Sequence, residues 1–596
     1  MASTTDSAGW LTGPSQRRLR EISSTAASRL PYSEDFASCI ESDITAIYRL
    51  AIDFKRESNN YKSPILRLSS EMICEIIACI AALEPANTKS LGWIRVGHIS
   101  YRFRLLLLSM RWLWASVICD VGPRAWDEVL GRAGNAPPTL KLDDANEVLA
   151  SSRINYVIDN MTRARRLTIT EYDPTVAMWV NSPREISGTV FADLEDLNVE
   201  AMHRPSRDLT WLATDVYELN PISAPKLRSV SLTNVYIPFP PENLTTLTLK
   251  RLQFYADKPL PNGDDILPAP EVFLALLKRC VNVERLCLTH VIPDISALPS
   301  RLHPSHSIRL PSLTSLTLDA KLSRLLALWS HLSVPPDTTI KFGADFTSFP
   351  ATSELLIDEG RLSVFPSLSD HIARSNLSEV TALYIGNENT KERTTCALFK
   401  RNHAFVSETW EGLPVLGQPH AYTDFVDVRF DQCLWGADVT LPRLIASLPP
   451  PIFATIDTLQ VQDIPGATLA CLLACLPHLH TLRLADLDRA CLAALSPFAN
   501  FAKSPRSLSA PSLRHLHLSK FKLCVESSRS SSYIPCVRDF LDVMGSRSTA
   551  CGPLHTLVFD DLTSDLDAFQ LVSFTTQLEV TALVFDVRFA GHCLKI

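Results

Sequence analysis

The chain has 596 residues, too many for one hydrophobic core, so several domains or one long repeat array are expected. Apolar residues make up 46% and charged residues 20%, an ordinary globular composition, and a formal charge of −7, small for this length, argues against a mainly electrostatic nucleic-acid binder, which would need a basic face. Glycine is scarce (19) beside 40 prolines, and neither GxGxxG nor GxxxxGKS/T occurs, which speaks against phosphate-cradling loops.

Residues 1–32 are rich in Ser, Thr and Ala and read as a disordered tail, with the basic run SQRRLR (15–20) as part of it. The opening lacks the apolar core of a secretion signal. From 33 to 59 the pattern changes. Ile40, Ile44, Ile47, Ala51 and Phe54 alternate in steps of four and three, an amphipathic helix that packs on its own domain or, alternatively, dimerises.

Residues 60–120 form the next unit. Ser69 and Ser70 can cap a helix, Glu71 suits its first turn, and Ile73, Ile76, Ile77 and Ile80 give one apolar face. A second helical run covers roughly 90–109, and MRWLWASVICDVGP ends as a turn into a short strand. No run reaches the roughly 18 apolar residues of a membrane span; LLLLSMRWLWASVIC is broken by Arg111. Residues 121–150 read as a linker helix, a Gly/Pro break at Gly134–Pro138 and a first strand, TLKLD.

From 151 to 596 one phrase recurs, xLxxLxL: PKLRSVSL, ENLTTLTL, VNVERLCL, PSLTSLTL, PHLHTLRL, PSLRHLHL and GPLHTLVF, with weaker copies RARRLTIT, LEDLNVE, EVTALYIG, FATIDTLQV and EVTALVFD. Alternating leucines make a half-buried strand. Apolar helices precede several copies, as EVFLALLKRC, ATLACLLAC and VRDFLDVM do. Helix, short turn and strand repeated every ~23 to 40 residues form the unit of a leucine-rich solenoid, irregular or inserted at 319–455. The expected fold class is therefore α/β: a small helical module followed by an irregular leucine-rich-repeat solenoid with a curved parallel sheet.

The region KSPILRLSSEMICEIIACIAALEP, followed by SLGWIRVGHISYRFRLLLLSMRWLWASVICDVGP, resembles the F-box module of fungal F-box-like proteins. Ser63, Pro64, Ile65, Leu68, Glu71, Ile73 and Ile76 match the first block of that pattern. Trp93, Ile94, Val96, His98, Ile99, Arg102 and Arg104 match the second, and Leu113 and Trp114 the third. Ser69 stands where the family has proline and Phe103 where it has tryptophan. The resemblance implies docking onto the adaptor subunit of a cullin-based (SCF-type) ubiquitin ligase. Pro64, Leu68, Ile73, Ile76, Ile77, Ile94, Val96 and Trp114 are the residues expected to touch the adaptor or to support those that do. An F-box with a C-terminal leucine-rich array implies a substrate-recognition subunit, non-catalytic, with the solenoid binding a protein target through its sheet-lined face.

Other constellations are weaker. Cys471, Cys475, His478 and His480 superficially suggest zinc but also fit the repeat, so no metal and no cofactor is expected. His303 and His306 read as solvated loop positions, and His515 and His517 share one strand face where they could meet a target. The 15 cysteines sit mostly in apolar runs, as Cys287 in LCL and the pair in CLLAC, the pattern of reduced, buried thiols in a protein of the cytoplasm or nucleus. The sequons at Asn160, Asn243 and Asn376 read as chance matches. Neither nucleic acid nor membrane is an expected partner. Two rivals remain: a ligase-independent interaction scaffold, and an enzyme with a polar pocket in 319–455.

Overall fold

The computed structural model describes residues 9–28, 34–143, 151–171, 188–201, 220–252, 269–295, 307–345, 368, 370–376, 379–388, 393–401, 422–431, 448, 450–485, 488–497, 510–524, 535–564, 568–578, 581–589 and 592–594. The chain divides into two units, Met1–Thr139 and Leu140–Ile596.

In the first unit, the segment expected to be a disordered tail carries a helix, α1 (Gly9–Ser28). QRRLREI supplies strong helix formers. Arg18 fastens the helix to α2 (Glu34–Lys62), reaching Asp43 at 2.9 Å and the Cys39 sulfur at 3.2 Å. The basic run 15–20 is thus helical. The stripe on α2 does not enter a core: Ile44 is 47% exposed, Ile47 61% and Phe54 45%.

A single 3-10 turn, Pro64–Arg67, leads into α3 (Ser70–Leu83). The expected helical run at 90–109 is two pieces, a 3-10 helix at Gly92–His98 and α4 (Tyr101–Ser109). The break falls at Ser100, whose hydroxyl accepts from Phe103 N–H at 3.2 Å and so starts a new helix. After α5 (Arg111–Ser116), the expected short strand is a turn; Val117, Ile118 and Val121 are buried there as packing residues. The linker helix α6 (Trp126–Ala133) ends at Gly134, whose φ of +56° suits glycine.

The strands are β1 (Thr139–Asp143), β2 (Arg166–Glu171), β3 (Asp196–Ala201), β4 (Ser229–Thr233), β5 (Thr246–Lys250), β6 (Arg285–Thr289), β7 (Ile308–Arg309), β8 (Ser315–Lys321), β9 (Leu332–Ser333), β10 (Thr339–Asp345), β11 (Val380–Glu388), β12 (Arg393–Arg401), β13 (Tyr422–Asp431), β14 (Thr458–Gln462), β15 (Thr481–Ala485), β16 (His515–Ser519), β17 (Lys522–Leu523), β18 (Leu554–Ser564), β19 (Ala582–Phe589) and β20 (His592–Leu594). Every xLxxLxL phrase named above falls on one of them. All but β7 and β9 join one mixed, mostly parallel sheet, and among the described residues it does not close on itself.

The ladder keeps its register from β2 to β10 and on into β13, and slips only further along, between Val380 and Ala382, Leu398 and Phe399, and Phe559 and Leu562. One buried row runs Leu167, Leu197, Val230, Leu247, Leu286, Leu316, Ile340 and Val426, each opposite the next. A second row, two residues along, starts at Ile169 and reaches Phe342 and Val428. The strand period of two puts both rows on one face. Helices such as Pro270–Arg279 contribute Phe273, Leu274 and Leu277 to the buried set.

The strand entrances repeat as well. The carbonyls of Arg165, Glu195, Arg228, Thr245 and Glu284 each accept from two successive N–H groups of the next turn, and Asp457, His480 and Arg514 do the same further on.

The region expected to be irregular, 319–455, is corrected in part. β8, the helix Leu322–His331 and β10 form a regular rung, with Thr339 opposite Ser315. The departure comes later. β10 is followed in space by β13, then antiparallel β12, then β11, so the chain runs backwards through the sheet before β14 resumes the parallel order.

Candidate docking surface on the helical unit

Ser69 caps α3: its hydroxyl accepts from Met72 N–H at 3.3 Å. Ser69 therefore starts the helix with a side-chain cap. The Glu71 carboxyl accepts from its own backbone N–H and from the Ser69 hydroxyl, which holds its pKa below the ordinary value, and the Arg102 charge acts in the same direction.

Two apolar rows share α3. Ile73 and Ile77 point inward and are fully buried. A neighbouring row, Met72, Ile76, Cys79 and Leu83, follows at i, i+4, i+7 and i+11; Met72 is 53% and Leu83 81% exposed, Cys79 is exposed and Ile76 half-buried. The helix is apolar over more of its circumference than its own core uses.

The unit is closed from the other side by two tryptophans. Trp93 and Trp114 meet edge to face at 5.0 Å, both 1% exposed. The Trp114 indole N–H donates to the Leu107 carbonyl at 2.9 Å, and the Arg132 guanidinium lies 4.5 Å from its ring centroid. Gly92 enables the approach of the two segments. At φ +48° a Cβ there would lie 2.5 Å from the Glu84 carbonyl oxygen, which accepts from Trp93 N–H at 2.9 Å. Arg95 pairs with Glu84, and Arg102 donates to the Leu66 carbonyl.

The expected contact residues therefore separate. Ile73, Ile77, Val96 and Trp114 are buried and support the unit from within; they are not available to a partner. Pro64 is exposed, and Leu68, Ile76 and Ile94 are half-buried and keep an outer edge. Sequence reading missed Met72, Leu83, Leu105 and Trp112, the last two 48% and 47% exposed. The signal for Met72 and Leu83 was present as the i, i+4, i+7, i+11 spacing. It was masked by the stronger isoleucine row beside it.

The second unit offers a different surface. Opposite the leucine rows, the sheet carries polar residues at alternate positions, such as Thr168, Asn198, Ser231, Thr248 and Cys287 in β2 to β6. Cys287 thus faces away from the core, and Cys475 is exposed on its helix, so neither behaves as the buried filler expected of it. His515 and His517 stand on the polar face of β16. The Nδ1 of His515 lies 3.0 Å from the Thr556 hydroxyl and its ring 5.3 Å from His555; burial lowers its pKa, with the His555, Arg514 and His480 charges adding to the effect. The Nε2 of His517 lies 3.8 Å from Asp560. His478 and His480 are exposed, and among the described residues no group of three or more His, Cys, Asp or Glu is placed to hold a metal ion, those beside Cys471 and Cys475 included. His303 and His306, and residues 346–367, 402–421 and 432–447, lie outside the described residues. No described helix is long and apolar enough to cross a membrane.

No family model matches the chain, and no curated protein matches it either.

Proposed function

We propose that this chain is the substrate-recognition subunit of a cullin-based (SCF-type) ubiquitin ligase. In this reading the helical unit is an F-box-like module and the long sheet an irregular leucine-rich-repeat solenoid that holds a protein target on its polar face. The chain transfers no group itself. It contributes proximity, keeping a target lysine near a ubiquitin-charged enzyme carried by other subunits. The cytoplasm or nucleus is the compartment where such a complex works.

One observation carries the reading: the exposed apolar row on α3 beside a core already closed by Ile73 and Ile77. Apolar side chains left over after a module has closed its own core are affinity waiting for a partner. The ordered sequence blocks at 63–76, 93–104 and 113–114 and the repeating strand ladder support the same assignment.

The test is co-purification of the full chain with a recombinant adaptor subunit. Leu68→Asp combined with Ile76→Asp places two charges in the contact edge. Loss of two apolar anchors weakens capture by roughly a hundredfold or more. Ile77→Asp serves as the contrast, since a charge at that buried site unfolds the module outright. A folded double variant that still binds the adaptor at full strength rules the assignment out. A wild-type chain that folds and never binds it leaves a ligase-independent scaffold.

A further inference from the structure

α2 is a 29-residue helix with no buried residue, and every position from Ile44 to Lys55 is exposed. At 1.5 Å per residue it is about 43 Å long. Its continuity to Lys62 extends the frame in both directions, through the half-buried Ala37 and Ile40 and through Ser58 and Tyr61, so a seam interrupted by one serine covers nearly four heptads in place of two. We infer that α2 pairs antiparallel with α2 of a second copy of this chain, about a twofold axis near Tyr48.

The seam itself argues for the orientation. In an antiparallel pair each a position meets a d position of the other helix. Centring the pair near Tyr48 sets Ala37 against Tyr61, Ile40 against Ser58, Ile44 against Phe54 and Ile47 against Ala51. Three of these layers oppose a small residue to a large one, and in one of them the small residue is the polar Ser58. A parallel pair would stack Ala37 on Ala37 and Ala51 on Ala51, leaving two layers underfilled, and Phe54 on Phe54.

Charge gives the second, independent argument. The positions flanking one side of the seam at heptad spacing are Glu34, Glu41, Tyr48, Lys55 and Lys62. The row reads as its own electrostatic complement backwards: Glu34 faces Lys62 of the other copy and Glu41 faces Lys55, each pair occurring twice by symmetry, with Tyr48 opposite itself. The other flank brings Asp43 towards Glu57, an unfavourable pair, but Asp43 is already neutralised by Arg18 at 2.9 Å. A parallel pair would use only Glu57 with Lys62.

Sedimentation equilibrium of the full chain tests this. The expected mass is twice the 66.2 kDa of one chain, with the dimer weakening as salt rises. Ile47→Asp, at an exposed site that leaves the protomer fold alone, gives a monomer. Glu41→Lys weakens the dimer roughly tenfold, because two attractive pairs become repulsive. Glu41→Lys with Lys55→Glu restores it, since the reversed row is again its own complement. A monomer at all accessible concentrations overturns the inference. So does a dimer indifferent to Ile47→Asp, or a double reversal as weak as the single one.

Discussion

His371 is 1% exposed, its Nε2 3.2 Å from the Thr338 carbonyl and its ring edge-on to Trp329 at 5.9 Å. Burial pushes its pKa down to about 4, helped by the Arg374 and Lys400 charges and opposed by the Thr338 hydrogen bond and Asp337. Folded, the imidazole is neutral; unfolded, it takes a proton near pH 6.5. The stabilising effect is therefore present above pH 6.5 and is lost as pH falls from 6.5 towards 4. Between pH 7 and pH 5 this one group costs about 2 kcal/mol. Urea titrations at the two pH values should show the natural chain losing about that much more stability than His371→Met; equal losses would mean His371 is protonated in the fold. Arg547 is a second buried polar group, donating to the Leu495 carbonyl at 3.3 Å and to that of Ala510. Neither residue was legible beforehand. A histidine among 15 and an arginine in a helix acquire their character only when distant segments close over them.

At the scale of elements, repetition extends to backbone strain. Asn234, His290, Asp463 and Lys520 each follow a repeat strand directly, and each has positive φ, between 49° and 57°. The N–H of each donates to the next rung, as Asn234 does to Lys250 at 2.8 Å and His290 to Asp319 at 2.6 Å. Asn234 also binds the rung before it, through Ala201, and the one after, through Leu252, both at 2.7 Å. Leucine spacing made the strands readable; these turns were not, because four different residue types occupy one conformation. Helix contacts divide in the same way. A Cβ on Gly466 would stand 2.3 Å from the backbone carbon of Ala490, whereas one on Gly545 would meet nothing within 4 Å. Gly466→Ala should cost about 2 kcal/mol or more by forcing the two helices apart. Gly545→Ala, in mid-helix, should stabilise by about 0.5–1 kcal/mol. Thermal melts of the pair would refute this account if the two substitutions behaved alike.

Across the whole molecule the two apolar rows do not stop where the chain reverses. Val426 is opposite Leu398, Leu398 opposite Leu383, and Leu383 opposite Leu459, from which the row runs on through Leu482, Leu516 and Leu557. Val428, Cys396 and Ile385 carry the second row across the same gap. Cys396 is 1% exposed and does the work of a leucine. The sequence suggested an insertion here because β10, β12 and β13 lack the leucine phrase. They keep only the alternation, with Ile, Phe, Val, Cys and the single Leu398 in the inward positions, and alternation without a fixed residue type is hard to separate from any other strand. Since each strand in the ladder bonds only to its neighbours, coupling should be local. Leu398→Asp puts a charge into the middle of the row, where both adjacent rungs lose their packing. Hydrogen exchange should then rise in β11, β12 and β13 and in the β10 and β14 edges that face them. β3 to β5 on one side and β16 to β18 on the other should keep their protection. Uniform loss of protection from β2 to β19 would instead mean that the sheet folds as one cooperative block, and that the inserted strands hold both halves together.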